Sequence, residues 1–126
     1  MTTVLLVDDS QIVLKTTRAM LAQHPDIEVV GAVSNLPDAL RVIEEFLPDV
    51  TVLDLGMTDR GAESAQQGRT LVENSRAVVC ISLLEEKDLK KLASLIGVAV
   101  CIDKMNLYAE LPKTIREVAR PVSVSN

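Results

Sequence analysis

The sequence is poor in aromatic side chains and cysteine, and it has no long hydrophobic run. One Phe, one Tyr and no Trp among 126 residues leave no platform for stacking nucleic acid bases. A net charge of −5 argues against a basic surface for phosphate backbones. The longest uncharged stretch, residues 92–102, is too short to span a bilayer, and we expect no signal peptide. Direct contact with nucleic acid or a membrane is therefore not expected.

The two cysteines, Cys80 and Cys101, both lie inside apolar runs, and neither has a CxxC partner. This pattern predicts buried, reduced thiols in a cytoplasmic protein rather than a disulfide or a metal site. With 48% hydrophobic and 25% charged residues, the composition is that of a globular domain. Because aromatics are so scarce, its core must be aliphatic.

Five short apolar runs alternate with longer segments of helical spacing. The runs cover residues 4–7, 27–33, 50–53, 77–81 and 98–102. Near-continuous runs rich in Val and Ile are typical of strands that are covered on both faces. Strand–helix alternation predicts parallel pairing with right-handed crossovers. We therefore predict an α/β fold with a five-stranded parallel sheet and helices on both faces.

Capping residues mark the first, second and fourth helices. Ser10 is a good N-cap for a first helix that runs to about residue 23. Asn35 caps the second helix, and Pro48 ends it. Gly97 is a suitable C-terminal cap for a fourth helix over about residues 85–95.

The third and fifth helices are less well marked. Residues 58–75 contain two glycines and few apolar side chains, which predicts a long loop and a short or irregular third helix. Pro112 belongs in a first helical turn, so the fifth helix is predicted to begin near Ala109.

Acidic, hydroxyl and lysine side chains follow successive predicted strands. The first strand ends in Asp8 and Asp9, the third in Asp54, the fourth in Ser82, and the fifth runs toward Lys104. In parallel α/β sheets these strand ends meet at the edge where ligands bind. Three converging carboxylates need a cation, and an open carboxylate site suits Mg²⁺. Each residue alone has an ordinary explanation as a turn or cap residue, but the set predicts a phosphoryl site with Asp54 as a candidate nucleophile.

The segments VLLVDDS, PDVTVLDLGM, VVCIS and VCIDK make the chain resemble the receiver domain of bacterial two-component response regulators. The resemblance covers about residues 3–120. Its spacings also agree, since Asp9 lies 45 positions before Asp54 and Ser82 lies 22 before Lys104. It implies a flavodoxin-like strand order 2-1-3-4-5, a receiver domain over residues 1–120 and a tail or start of a linker over residues 121–126.

The resemblance also implies a role for each site residue. Asp54 would accept a phosphoryl group from a sensor histidine kinase, Lys104 would pair with its oxygens, and Ser82 would turn inward to bind one. The face formed by helix 4, strand 5 and helix 5 would then change. Enzymatic activity would be limited to Mg²⁺-dependent self-phosphorylation and self-dephosphorylation. The ligands of Mg²⁺ (or Mn²⁺) would be Asp8, Asp9, Asp54 and the backbone carbonyl of Gly56.

Three positions depart from the family pattern. Cys101 replaces the usual aromatic residue three positions before the lysine, Met105 replaces the proline after it, and Thr58 replaces a proline after the aspartate strand. The small Cys101 thiol cannot change rotamer as an aromatic ring does, so the usual coupling between this position and the Ser82 hydroxyl is in question. A receiver-fold binding module that acts without phosphorylation therefore stays open as an alternative.

Two enzyme or cofactor classes fit less well. A haloacid-dehalogenase-type phosphatase needs a second acid where Gly56 stands. A flavodoxin-like FMN site needs a phosphate-binding loop rich in Ser, Thr and Gly and aromatic residues flanking the ring, whereas the acidic Asp8 and Asp9 follow the first strand.

The resemblance also leads to expectations about the localisation of the protein, its output domain and its oligomeric state. No helix-turn-helix follows the last predicted helix, although residues 95–104 and 111–119 are similar to receivers that precede such output domains. We expect cytoplasmic localisation, with any DNA-binding output domain outside this chain and a homodimer left open.

Overall fold

The computed structural model describes residues 1–120, in which five β-strands alternate with five α-helices. The predicted tail, residues 121–126, lies outside the described residues. The strands are β1 (Thr2–Val7), β2 (Ile27–Val33), β3 (Val50–Asp54), β4 (Val78–Ser82) and β5 (Cys101–Asp103). The helices are α1 (Gln11–Leu21), α2 (Leu36–Phe46), α3 (Ala62–Asn74), α4 (Glu86–Ile96) and α5 (Leu107–Val118). Across residues 1–120, none of the helices has the length and apolar character needed to cross a membrane.

The strands form one parallel sheet in the order β2-β1-β3-β4-β5, as predicted. β1 and β3 lie inside the sheet with a partner on each side, and Val7 is in register with Leu53. The carboxyl ends of β1 and β3 therefore come together, with that of β4 beside β3. β5 pairs with β4 through three residues.

Alternating strand residues build a separate aliphatic core on each face of the sheet. On one face, side chains such as Val4 and Val52 pack with Leu111 and Ile115 from α5, together with residues of α1. On the other face, residues such as Leu53 pack with α2, α3 and α4. Burial on both faces explains why the strands are continuous in apolar residues. The prediction of helices on both faces is confirmed.

The predicted caps of three helices are confirmed. The Ser10 and Asn35 side chains accept hydrogen bonds from the backbone N–H groups of Val13 and Asp38 at 3.3 and 2.8 Å. Gly97 ends α4 with a φ of 93°, a left-handed conformation that favours glycine.

The predicted start of the last helix is wrong by two residues. A short 3₁₀ turn over Lys104–Asn106 leads directly into α5, which begins at Leu107. Pro112 consequently lies beyond the first turn, where its ring nitrogen cannot donate to the Tyr108 carbonyl.

The prediction of a short or irregular third helix is also wrong, because α3 has 13 residues and is the longest helix described. Its apolar face is narrow, and Gly68 and Leu71 are its buried residues. A Cβ added at Gly68 would lie 2.7 Å from Cγ2 of Thr58 and 3.2 Å from Cδ1 of Ile96. Gly68 therefore lets α3 pack closely on the turn that follows β3. Tertiary packing outweighs the low helical propensity of this segment.

Candidate functional site

The predicted acidic cluster forms at the carboxyl ends of β1 and β3. Asp8, Asp9 and Asp54 each offer a carboxylate oxygen, and these oxygens lie within 4.8 Å of one another. Asp8 and Asp54 are buried, whereas Asp9 is exposed at the rim. The arrangement follows from the register, because β1 and β3 are direct neighbours in the sheet. The sequence prediction that these three residues converge is confirmed.

Lys104 enters the cluster from the end of β5. Its Nζ lies 2.9 Å from Oδ2 of Asp8 and 3.5 Å from Oδ2 of Asp54. Burial lowers the pKa of Lys104, but close pairing with Asp8 and the negative charge of Asp54 outweigh this effect and raise it. Lys104 is therefore a fixed positive charge at neutral pH, facing two buried carboxylates.

The two carboxylate oxygens of Asp8 have different partners. Oδ1 accepts a hydrogen bond from the backbone N–H of Ser10 at 2.9 Å. Oδ2 is buried and pairs with Nζ of Lys104 at 2.9 Å. The pocket holds three carboxylates for one lysine, and this excess of negative charge is suited to a cation. The donor set of hard carboxylate oxygens fits Mg²⁺.

Asp54 carries an unfavourable charge in the folded protein. Burial is the main cause of its raised pKa, and the charge of Asp8 adds to it, while Lys104 and the N–H of Gly56 act in the opposite direction. The Gly56 N–H donates to Oδ1 of Asp54 at 3.2 Å. The net raised pKa shows that burial and carboxylate repulsion exceed the compensation from Lys104.

This electrostatic balance predicts that Asp54→Asn stabilises the metal-free protein. The unfolded chain loses the Asp54 proton at a lower pH than the folded chain, so ionisation costs stability as pH rises through the raised pKa. At pH 7 with a chelator, we expect the free energy of unfolding of the variant to be about 1 kcal/mol higher than that of the wild type. Urea titrations at a series of pH values from 7 downward should show that this difference between variant and wild type disappears below about pH 4. At that pH the Asp54 carboxyl is protonated in both the folded and the unfolded chain. A variant less stable than wild type at pH 7 would contradict this balance.

Ser82 and Gly56 lie beside the cluster with their own partners. Ser82 is buried, and its Oγ accepts a hydrogen bond from the N–H of Leu84 at 2.8 Å. Within residues 1–120 no hydrogen bond joins this hydroxyl to the three carboxylates. The Gly56 carbonyl accepts from the N–H of Asp59 at 3.2 Å, which leaves its second lone pair free.

Arg60 is a site residue that sequence reasoning missed. It follows the 3₁₀ turn after β3, and its guanidinium pairs with the Asp9 carboxylate. The hydrogen bond from Arg60 is the main cause of a lowered pKa of Asp9. Neither periodicity nor a motif marks Arg60 in the sequence, because its position depends on where α3 begins.

The comparisons with known proteins agree with this geometry. The response regulator receiver domain family matches residues 4–116. The receiver domain of the putative response regulator NarL from Mycobacterium tuberculosis superposes with a TM-score of 0.79 at 26% identity, covering 94% of this chain and 95% of that one. The chain therefore belongs to the response regulator receiver domain family, whose members bind Mg²⁺ at an acidic pocket and are generally not enzymes themselves.

Two curated relatives are longer than this chain. The transcriptional regulatory protein LiaR of Bacillus subtilis is 29% identical over 118 residues, which is 93% of this chain and 56% of that protein. The response regulator protein VraR of Staphylococcus saprophyticus is 30% identical over 122 residues, which is 96% of this chain and 58% of that protein. The chain thus spans somewhat more than half the length of these relatives.

Proposed function

We propose that this domain is a phosphoacceptor switch in which Asp54 takes a phosphoryl group from a sensor histidine kinase. The observation that carries the proposal is the convergence of three carboxylates and Lys104 at one sheet edge. Mg²⁺ or Mn²⁺ would be held by Asp8, Asp9, Asp54 and the Gly56 carbonyl. When bound, the ion would offset the carboxylate charge and orient phosphoryl oxygens.

The transfer uses groups that the fold already positions. An Asp54 carboxylate oxygen forms the new bond to phosphorus, and the bond from phosphorus to the kinase histidine nitrogen breaks, leaving a neutral imidazole. Lys104, already beside Asp8 and Asp54, pairs with the oxygens of the transferred group. The acyl phosphate is later hydrolysed by water, which makes the signal transient.

The output step requires Ser82 to exchange partners. Its hydroxyl oxygen now accepts from the Leu84 N–H, and the hydroxyl proton is available for a phosphoryl oxygen. Turning toward Asp54 would withdraw the acceptor from Leu84 and release the loop before α4. Leu83 in this loop is 69% exposed, so the change alters an apolar surface. The face formed by α4, β5 and α5 would shift in consequence.

Cys101 bears on how this shift is transmitted. It is half-buried, lies in register with Cys80 across β4 and β5, and packs against the core of the α2, α3 and α4 face. Because a thiol has no ring to reorient, the signal would pass through the β4–α4 loop and its backbone. The alternative, a receiver-fold binding module independent of phosphorylation, is favoured by this same residue.

The longer relatives suggest the setting of the domain. LiaR is described as a transcriptional regulatory protein, and a similar solved structure comes from a DNA-binding response regulator of Staphylococcus aureus. We infer a cytoplasmic, transcription-linked regulator whose DNA-binding output domain lies outside this chain. A homodimer would fit such a regulator.

Intact mass spectrometry after incubation with acetyl phosphate and Mg²⁺ tests the proposed function. We expect one acid-labile phosphoryl group on the wild-type domain, and none with a chelator or in Asp54→Asn. Asp103→Asn is the matched control, because Asp103 also ends a strand but is exposed and accepts a hydrogen bond from the Met105 N–H at 2.9 Å. The Asp103 variant should be modified as the wild type is.

Two results would overturn the proposal. Equal modification of Asp54→Asn would place the phosphoryl group on another residue. No modification of a folded wild-type domain that demonstrably binds Mg²⁺ would favour the phosphorylation-independent binding module.

A further inference from the structure

The Arg60 guanidinium lies on the exposed rim of the acidic pocket and contacts Asp9 from outside the sheet. Asp8 and Asp54 are buried and face Lys104, so Asp9 is the pocket carboxylate that solvent and external cations reach most easily. Arg60 therefore engages the carboxylate through which a metal ion would enter.

The Arg60 backbone is anchored while its side chain is open to solvent. The backbone N–H donates to Oγ of Ser64 in the first turn of α3 at 2.8 Å. That hydroxyl also lies 3.1 Å from the Thr58 carbonyl, which ties the start of α3 to the turn after β3. The Arg60 side chain is 57% exposed. Rotation of this side chain can release Asp9 without any change in the fold.

The charges around the pocket set up a competition. Three carboxylates face two cations, Lys104 and Arg60, so the local charge is −1 with Arg60 on Asp9 and −2 when it leaves. The charge of −2 left when Arg60 moves away balances a divalent cation, whereas the charge of −1 with Arg60 in place does not. We propose that Arg60 competes with the divalent cation for Asp9 and so determines the metal affinity of the pocket. The inference deepens the proposed function, since it concerns the same metal site.

Manganese binding to the metal-free domain, followed by electron paramagnetic resonance of free Mn²⁺, tests this competition without a phosphoryl donor. We expect Arg60→Gln to bind Mn²⁺ about 1.5- to fivefold more tightly than wild type, the range expected for removing an exposed ion pair. Arg60→Lys should stay nearer to wild type, because it keeps the positive charge.

Arg76→Gln is the matched control. Arg76 is 60% exposed and pairs with Asp49 at 3.6 Å, and Asp49 binds the N–H of Thr3 near the start of β1, at the other end of the strand. The two glutamine variants lose the same net charge, so only a local effect separates them. The variant Asp9→Asn should remove the advantage of Arg60→Gln when the two are combined.

The outcomes separate this inference from the function on which it rests. Unchanged or weaker Mn²⁺ binding by Arg60→Gln would overturn the role of Arg60 and leave the phosphoacceptor function standing. Equal tightening by Arg76→Gln would also overturn it, because overall charge would then explain the effect. Absence of Mn²⁺ binding in every variant would overturn both this inference and the metal-dependent function.

Discussion

Replacing Lys104 with Met is expected to lower the free energy of unfolding by about 3 kcal/mol in metal-free protein at pH 7. Lys104 is 15% exposed in its side chain and lies within ion-pair distance of Asp8 and Asp54. Removing it leaves two buried carboxylates facing each other without a cation. Chemical denaturation with a chelator present measures the loss. The loss should shrink at lower pH, where the Asp54 carboxyl, whose pKa is raised by burial, takes up a proton.

Lys90→Met is the matched control for this prediction. Lys90 pairs with Glu86 at 3.2 Å on the surface of α4, and its side chain is 75% exposed. Its replacement should change stability by no more than about 0.5 kcal/mol. Saturating Mg²⁺ should restore much of the stability of the Lys104 variant, because binding to the folded state adds to its stability. Equal effects of the two substitutions would show that the buried pair is energetically unimportant.

Replacing Gly68 with Ala is expected to destabilise the domain by about 2 kcal/mol, although alanine is the better helix former by about 1 kcal/mol. The new methyl group would lie 2.7 Å from Cγ2 and 3.0 Å from Cβ of Thr58. Thr58 cannot rotate away freely, because it is buried and its hydroxyl donates to the Leu55 carbonyl at 2.7 Å. Thermal and urea unfolding measure the change.

A double-mutant cycle with Thr58→Ser identifies the cause. Serine keeps the hydroxyl that binds the Leu55 carbonyl and removes the Cγ2 atom that meets the new methyl group. Gly68→Ala should therefore cost clearly less in the Thr58→Ser background than in the wild type. If Gly68→Ala raises stability, or if the cost is the same in both backgrounds, α3 does not depend on this close contact.

The central site could be predicted from the sequence because it depends on strand order and strand ends. Asp8 directly follows β1, and Asp54 is the last residue of β3. Parallel pairing puts the carboxyl ends of these two strands at one edge of the sheet. Lys104 follows from the same rule on β5.

The third helix and Arg60 could not be predicted for a shared physical reason. In isolation, Gly68 lowers helical propensity, and its contribution to packing exists only when Thr58 and Ile96 are in place. Arg60 reaches Asp9 only because Ser64, at the start of that helix, holds its backbone. Both features depend on contacts between segments, and local patterns carry no information about such contacts.

The pocket brings together groups with different kinds of structural support. Asp8 and Asp54 follow or end strands that are paired on both sides, whereas Lys104 follows β5, a three-residue strand paired with β4 at the edge of the sheet. Short edge segments open locally at a lower free energy than the interior of a sheet. We therefore expect Asp8 and Asp54 to stay in place as long as the sheet itself is folded. We expect a local opening of β5 to withdraw Lys104 while both acids stay in place.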